Sequence, residues 1–477
     1  MELASLKFVA FAIIAVVVMT LLPSRPVRQW LLLALNLAFV GSFAQNPEAL
    51  APLAVFMLIG FVCLKLIDRV PLSQVAAGAA ILIILVFIYL KQYSIADALP
   101  DLPFVYVFFG VSYILFRMLH LVIDRYQEAI DKPVTALSYV NYLLYFPAFV
   151  SGPIQRYQDF TSAEHAGELS DDDVFRAVSR ILSGFLKTIL LSPIFLMVFD
   201  HLMGGGGGAP DGLGLIPMVV YGFAAAAFYI HFYLSFQGYM DVVIGLSILL
   251  GIRLPENFNS PFSARNFLDF WTRWHITLAD WFRTYLFNPL LKLLIQLTGW
   301  TKGANYLAVL AFFVTFLVMG LWHGTSQLWF VYGIFLAAGV STNKFYQVVA
   351  ASVLGRAGYG ALCANRFYSA LSLGMTFAYV SLAFGAFWPD QGKNSLMTGE
   401  VDAAGAVIAF STISVIITTV SLLFSPWFPR LLTVLADRLS TVNSLIFRNF
   451  WLAAKLLIII GASLLVSAIP ETVYKPF

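Results

Sequence analysis

Nearly uncharged apolar runs recur from one end of the chain to the other, at 6–22, 30–43, 49–67, 75–90, 104–123, 137–150, 181–199, 215–250, 307–322, 328–339, 370–387, 404–424 and 450–468. A run of about 20 such residues is what a helix needs to cross the hydrocarbon core of a bilayer. Every backbone polar group inside that core must be paired within the protein, which leaves helices as the spanning element for a chain of this pattern. The expected architecture is an all-α, polytopic integral membrane protein with about 11–13 membrane segments, re-entrant helices included. Composition agrees: 60% of the 477 residues are hydrophobic and 11% are charged, against roughly 25% charge in soluble domains. Cytosolic, secreted and disordered proteins are thereby excluded.

Several runs carry internal signals. The run 137–150 contains Pro147 and is followed by Ser151-Gly152-Pro153, so it reads as a broken or re-entrant helix. The run 215–250 is long enough for two spans, divided near 235–238. The first run has only Glu2 and Lys7 as flanking charges and no small-residue cleavage site, so it reads as a retained helix and not a signal peptide. The glycine run 204–208 has no following Gly-Lys-Ser/Thr and is expected to be a flexible external connector.

A net charge of +3 is too small for a nucleic-acid partner, and the basic residues read instead as topology signals. Arg25 and Arg28, Lys65 and Arg69, Arg125 and Lys132, the stretch 252–302, Lys344, Arg356 and Arg366, and Arg430, Arg438 and Arg448 fall on the cytoplasmic side. Glu48, Asp97, Asp101, the glycine run and 390–402 fall outside, as does the N-terminus. Cys63 and Cys363 are too few and too distant for a disulfide framework or a zinc site.

Polar side chains inside apolar sequence are functional candidates. His165 and His201 lie in connecting segments, whereas His120, His231, His275 and His323 lie in apolar surroundings. His323 closes the segment Met319-Gly320-Leu321-Trp322-His323-Gly324, where the two glycines would admit a close backbone or a ligand. It is either a packed histidine at a helix contact or a reactive one. Trp271, His275, Leu278 and Phe282 recur at helical spacing, with Trp274 and Trp281 beside them and Arg273, Asp280 and Arg283 opposite. That pattern predicts an amphipathic helix lying at the cytoplasmic interface. Neither histidine has a second ligand at metal-binding spacing, so no metal is expected. Asp241 lies in the apolar segment Phe236-Gln237-Gly238-Tyr239-Met240-Asp241 and needs a partner, which an arginine of 253–283 could supply.

These residues together resemble a family. Arg253-Leu254-Pro255-Glu256-Asn257-Phe258-Asn259-Ser260-Pro261-Phe262, then Asp269-Phe270-Trp271 leading to Arg273-Trp274-His275, are similar to the signature of membrane-bound O-acyltransferases. Met319 to Gly324, with Trp329 following, is similar to the second histidine motif of that family. Gly110-Val111-Ser112-Tyr113 and Ser151-Gly152-Pro153-Ile154-Gln155-Arg156-Tyr157 resemble its bacterial branch, whose members O-acetylate alginate or D-alanylate teichoic acids.

The resemblance implies one membrane-embedded acyltransferase domain over 1–477, with N-terminal helices to residue 100, a core over 101–345 and C-terminal helices over 346–477, built around a central tunnel. It implies His323 and His275 as catalytic residues, with Arg156, Arg273, Trp271 and Trp274 near the donor. It implies no bound cofactor but an acyl thioester co-substrate, acetyl-coenzyme A or a phosphopantetheine carrier. An acyl carrier protein on the cytoplasmic side, a periplasmic or membrane-anchored partner and membrane lipid are the partners implied, at the bacterial inner membrane. The expected reaction moves an acyl group, acetyl first and D-alanyl second, to a hydroxyl of an envelope polysaccharide or a partner protein. A transporter or flippase of an envelope glycan precursor is the competing class, since broken helices and intramembrane polar residues suit it also.

Overall fold

The structure is a computed structural model that describes residues 5–21, 24–93, 100, 106, 110–163, 169–204, 215–389, 403–424 and 445–465. Asp97, Asp101, His165, most of the glycine run, 390–402, Arg430 and Arg438 lie outside the described residues.

The all-α expectation holds. Among the described residues the extended pairing is one isolated antiparallel bridge, Phe258 with Trp274. Among the described residues, seven helices are long and apolar enough to cross a membrane, and Lys7–Leu21, Pro26–Gly41 and Asn449–Ser463 are shorter apolar helices. In chain order the principal helices are α1 (Leu6–Leu21), α2 (Arg25–Gly41), α3 (Ala51–Arg69), α4 (Ser73–Leu90), α5 (Val111–Tyr126), α6 (Ala136–Leu144), α7 (Tyr157–Ala163), α8 (Asp171–Phe185), α9 (Ser192–Leu202) and α10 (Leu215–Leu249). They continue as α11 (Phe267–Trp271), α12 (Ile276–Phe282), α13 (Asn288–Thr298), α14 (Ala304–His323), α15 (Gln327–Ala364), α16 (Arg366–Ala383), α17 (Ala403–Phe424) and α18 (Leu445–Leu465).

Two compact units result. Among the described residues, the first takes in 5–185 and 239–256 and the second 186–238 and 257–465. The 215–250 run does not divide into two spans as expected: α10 is one helix of 35 residues, and the boundary between the units falls inside it. At 1.5 Å per residue that is about 52 Å of helix, well beyond a bilayer's hydrocarbon core. Nothing in 235–238 forces a break, because the segment contains no proline and its glycine is tolerated inside a helix.

In the first unit α3, α4 and α5 pack on one another and α2 packs on α6. The break expected after residue 137 is present: α6 stops at Leu144 and a short 3₁₀ turn, Phe146–Ala148, follows at Pro147. A helix end inside a membrane protein exposes carbonyls that water cannot reach. Buried Arg117 on α5 meets them, donating to the carbonyls of Tyr142, Leu143 and Ala148 at 3.0–3.1 Å. Asn36 accepts from the Phe146 N–H at 2.9 Å on the other side of the break.

In the second unit α14 and α15 form an antiparallel pair turned by Gly324-Thr325-Ser326, and α16 packs on α17. A Cβ on Gly320 would fall on the backbone of Gly333. The glycine therefore lets two backbones meet, as small residues do at membrane helix contacts.

Candidate functional site

The stretch 267–283 is not the continuous interfacial helix that its spacing predicts. α11 ends at Trp271, α12 begins at Ile276, and His275 between them has φ 44° and ψ 51°, in the left-handed region. The cause lies in the chain just upstream. The Ile276 N–H donates to the Asn257 carbonyl at 3.0 Å and the Asn259 N–H to the Arg273 carbonyl at 2.9 Å, pinning one short strand against the other. The Asn257 side-chain oxygen accepts from the Thr277 N–H at 3.1 Å, the Thr277 hydroxyl at 2.9 Å and His275 Nδ1 at 3.2 Å. This clamp turns His275 inward, where it is 2% exposed. It also fixes the tautomer: Nδ1 carries the proton, so in the neutral ring Nε2 carries the lone pair. Burial, with the repulsion that a protonated His323 would add, pushes the His275 pKa down to about 3. His275 therefore stays neutral at cellular pH.

The other residues of this motif sort by what they touch. Asn266 caps α11 by accepting the Asp269 N–H at 2.9 Å, and Asp269 in turn binds Arg273 Nε at 2.7 Å. Arg273 is half-buried and held in this pair. Trp274 is 3% exposed and lies among rings, with Phe384 at 4.8 Å, Phe258 at 5.1 Å, Phe232 at 5.6 Å and Phe270 at 5.7 Å between centroids. Trp271 packs on Phe316 of α14 at 5.0 Å, and its indole N–H has no hydrogen-bond partner among the described residues. Downstream of this motif, α13 exposes Leu293 and Leu297, with Trp300 after it.

His323 is the last residue of α14 and 7% exposed. Its Nδ1 lies 2.7 Å from the Met319 carbonyl, one turn back along its own helix. A carbonyl only accepts, so Nδ1 is the protonated nitrogen and Nε2 of the neutral ring is the basic one. Aromatic rings hold the imidazole: Trp322 at 4.9 Å, Tyr332 at 5.4 Å, Phe387 at 5.6 Å, and Trp329 stacked at 5.6 Å and 17°. Gly324 makes that stacking possible, since a Cβ there would fall on the Trp329 indole. The second unit thus brings together His275, Trp271, Trp274, Arg273 and His323.

Arg156 belongs to the first unit, where it is exposed. The segment that carries it is held by Gln155, whose Nε2 donates to the Arg253 carbonyl at 2.9 Å, and by the Tyr142 hydroxyl on the Gln155 carbonyl at 2.6 Å. His120 accepts the Tyr157 N–H at 2.9 Å and stands 3.3 Å from Asp124, which accounts for its burial as a support of this segment. The partner of Asp241 is Arg180 on α8, at 3.0 Å, and not an arginine of 253–283; Arg180 also binds Glu256. Sequence reading misses Asn257 and Phe387. The first was visible only as one residue of a motif, and the second lies 64 residues beyond the histidine it touches. Among the described residues no three His, Cys, Asp or Glu side chains gather as a metal-binding group.

Comparison with known proteins gives the same region a family. The family model described as MBOAT, membrane-bound O-acyltransferase family, matches residues 81–371, more than half of the chain and inclusive of both histidines. The chain is 31% identical over 288 residues to a protein named teichoic acid D-alanyltransferase from Streptococcus thermophilus, covering 58% of this chain and 67% of that one. It is 28% identical over 289 residues to the teichoic acid D-alanyltransferase of Bacillus subtilis, covering 59% and 68%. A protein from Pseudomonas aeruginosa named "Probable alginate O-acetylase AlgI" is 28% identical over 226 residues, covering 47% and 40%.

Proposed function

This chain belongs to the membrane-bound O-acyltransferase family, and on that premise we propose that it moves an acyl group, acetyl first, from a cytoplasmic thioester to a hydroxyl of an extracytoplasmic polysaccharide or a partner protein. It is a multi-pass membrane enzyme. We read residues 1–477 as one membrane-embedded domain with a tunnel leading to the histidines, in the bacterial inner membrane.

The observation that carries the reading is the bond from His323 Nδ1 to the Met319 carbonyl. With Nδ1 occupied, Nε2 of the neutral ring takes the proton of the acceptor hydroxyl while that oxygen attacks the thioester carbonyl. Such general-base help is worth roughly 10²–10⁴-fold. The tetrahedral intermediate then collapses, the C–S bond breaks, and the proton held on His323 passes to the leaving thiolate. The products are an ester and a free thiol, so atoms and charge balance. His275 is the positioning partner: neutral and clamped by Asn257, it orients the donor or steadies the developing oxyanion. A thioester is already activated, and alignment of the two reactants supplies much of the rest.

Arg156, in the first unit, and Arg273, in the second, are each read as groups that attract the phosphates of coenzyme A or of a phosphopantetheine arm, and Trp271, with its indole N–H, as a contact to the donor. Trp274, enclosed by rings, supports the same end by holding the His275 turn. An acyl carrier protein would dock from the cytoplasm and a periplasmic or membrane-anchored partner would receive the acyl group. Transfer of D-alanine is the second reading, favoured by the Streptococcus thermophilus relative and its printed name. Mass spectrometry of cell-envelope glycans with and without the protein tests both: loss of ester-linked acetyl supports the first, loss of alanyl the second. An envelope unchanged in both, with a glycan precursor retained inside the cell, would favour a transporter instead.

A further inference from the structure

His231 on α10 is 2% exposed, and its Nδ1 lies 2.9 Å from the Ser192 carbonyl and 2.8 Å from the Ser192 hydroxyl. The carbonyl can only accept, so Nδ1 bears the proton and the lone pair of the neutral ring sits on Nε2. The Ser192 hydroxyl donates to the His231 carbonyl at 3.2 Å. Nearby in the same unit is Trp388, also 2% exposed, whose indole N–H has no hydrogen-bond partner among the described residues. Both side chains pack on one ring: Phe228 stands 5.5 Å from His231 and 6.3 Å from Trp388.

That ring is joined to His323. Phe228 stacks on Phe232 at 6.2 Å, Phe232 meets Phe387 at 4.8 Å, and Phe387 meets His323 at 5.6 Å. Phe387 is also the residue before Trp388. One row of aromatic rings thus runs from the base to a buried N–H donor and a buried imidazole acceptor. Packing alone would be better served by phenylalanine at 388, since a buried donor without a partner is costly. Arg366, at the start of this span, is a cytoplasmic signal, so Trp388 at its far end is on the side of the acceptor.

We propose that Trp388 and His231 form the subsite for the acceptor, and that the acceptor is an alcohol with neighbouring hydroxyls, a polyol or a sugar. The Trp388 N–H donates to one hydroxyl oxygen, and His231 Nε2 accepts a hydrogen bond from a neighbouring hydroxyl. No bond is made or broken there; the subsite holds the alcohol while its reacting hydroxyl meets His323. The proposal rests on the acyl-transfer reading above.

The test uses membranes of the native host, which contain the acceptor. They are supplied with radiolabelled acetyl-coenzyme A and, in parallel, with radiolabelled D-alanine and ATP. Label reaching polymer is compared with label released as free acid. Trp388→Phe keeps the ring's bulk and removes the donor, and it should lower the polymer-to-free-acid ratio about five- to tenfold. His231→Leu should lower the same ratio. Packing damage would reduce both products together and leave the ratio unchanged. An unchanged ratio in both variants, at normal levels of inserted protein, overturns the subsite and leaves the acyl-transfer reading standing. Polymer labelling that persists in membranes lacking the protein overturns the acyl-transfer reading itself, as does the absence of polymer label from either donor in unaltered membranes, and the subsite falls with it.

Discussion

His323 donates from Nδ1 to the carbonyl of Met319, 2.7 Å away and one turn earlier in the same helix. The bond settles which nitrogen is basic, and it aims that nitrogen away from the helix that carries it. Trp329, stacked on the ring, keeps it there.

Gly324 decides whether that stacking can exist. Gly324→Ala would drive a methyl group into the Trp329 indole, although the extended backbone at 324 accepts any residue. Displacing the imidazole by about an ångström should lower acyl transfer by about 10²-fold. Protein levels in the membrane should stay near normal. Single-turnover rates in reconstituted vesicles measure this.

Asn257 is expected to matter through geometry. Asn257→Ala strips the acceptor from the Thr277 N–H, the Thr277 hydroxyl and His275 Nδ1. Leaving buried donors unmet should cost about 3 kcal/mol or more. Unfolding in detergent should show the loss, together with lower activity. Asn257→Asp, which keeps the oxygen, should retain more folded protein than the alanine variant.

Arg180 separates two ion pairs by burial. Its bond to Asp241 is largely buried, whereas Glu256 is exposed. Arg180→Gln, which removes the arginine partner of Asp241, should destabilise the first unit by about 3 kcal/mol. Glu256→Gln should cost less than about 1 kcal/mol. Adding Asp241→Asn to Arg180→Gln should recover part of the loss. The thermal midpoint of each variant in detergent provides the comparison.

His275 gives the fold a pH dependence whose sign follows from its pKa. In the unfolded chain a histidine takes up a proton near pH 6.5, while the folded site resists to about pH 3. Below pH 6.5 the unfolded state therefore binds more protons, and stability falls as pH falls. Between pH 7 and pH 5 this contributes about 2 kcal/mol. Asn at position 275 does not titrate, so the thermal midpoint of His275→Asn should fall less over that interval than that of the unaltered protein.

The membrane class was legible because apolar runs and basic loops are local properties. The two histidines stood out because imidazoles are scarce in apolar sequence, and the break at Pro147 because proline cannot continue a helix. The turn at His275 was not legible: Trp271, His275, Leu278 and Phe282 keep helical spacing, and the break is imposed by Asn257, 18 residues earlier. Nor was Arg180 as partner of Asp241, since the two are 61 residues apart and meet only once α8 packs beside α10. Glycines 320 and 324 signalled close approach, and the structure supplies what approaches: the Gly333 backbone and the Trp329 ring.

In the proposed reaction His323 Nε2 takes the acceptor's proton. The most direct measurement is acyl transfer from labelled thioester to envelope polymer by His323→Ala, in membranes where the variant inserts at normal levels. Transfer should fall by at least about 10²-fold. Transfer at the unaltered rate would contradict it.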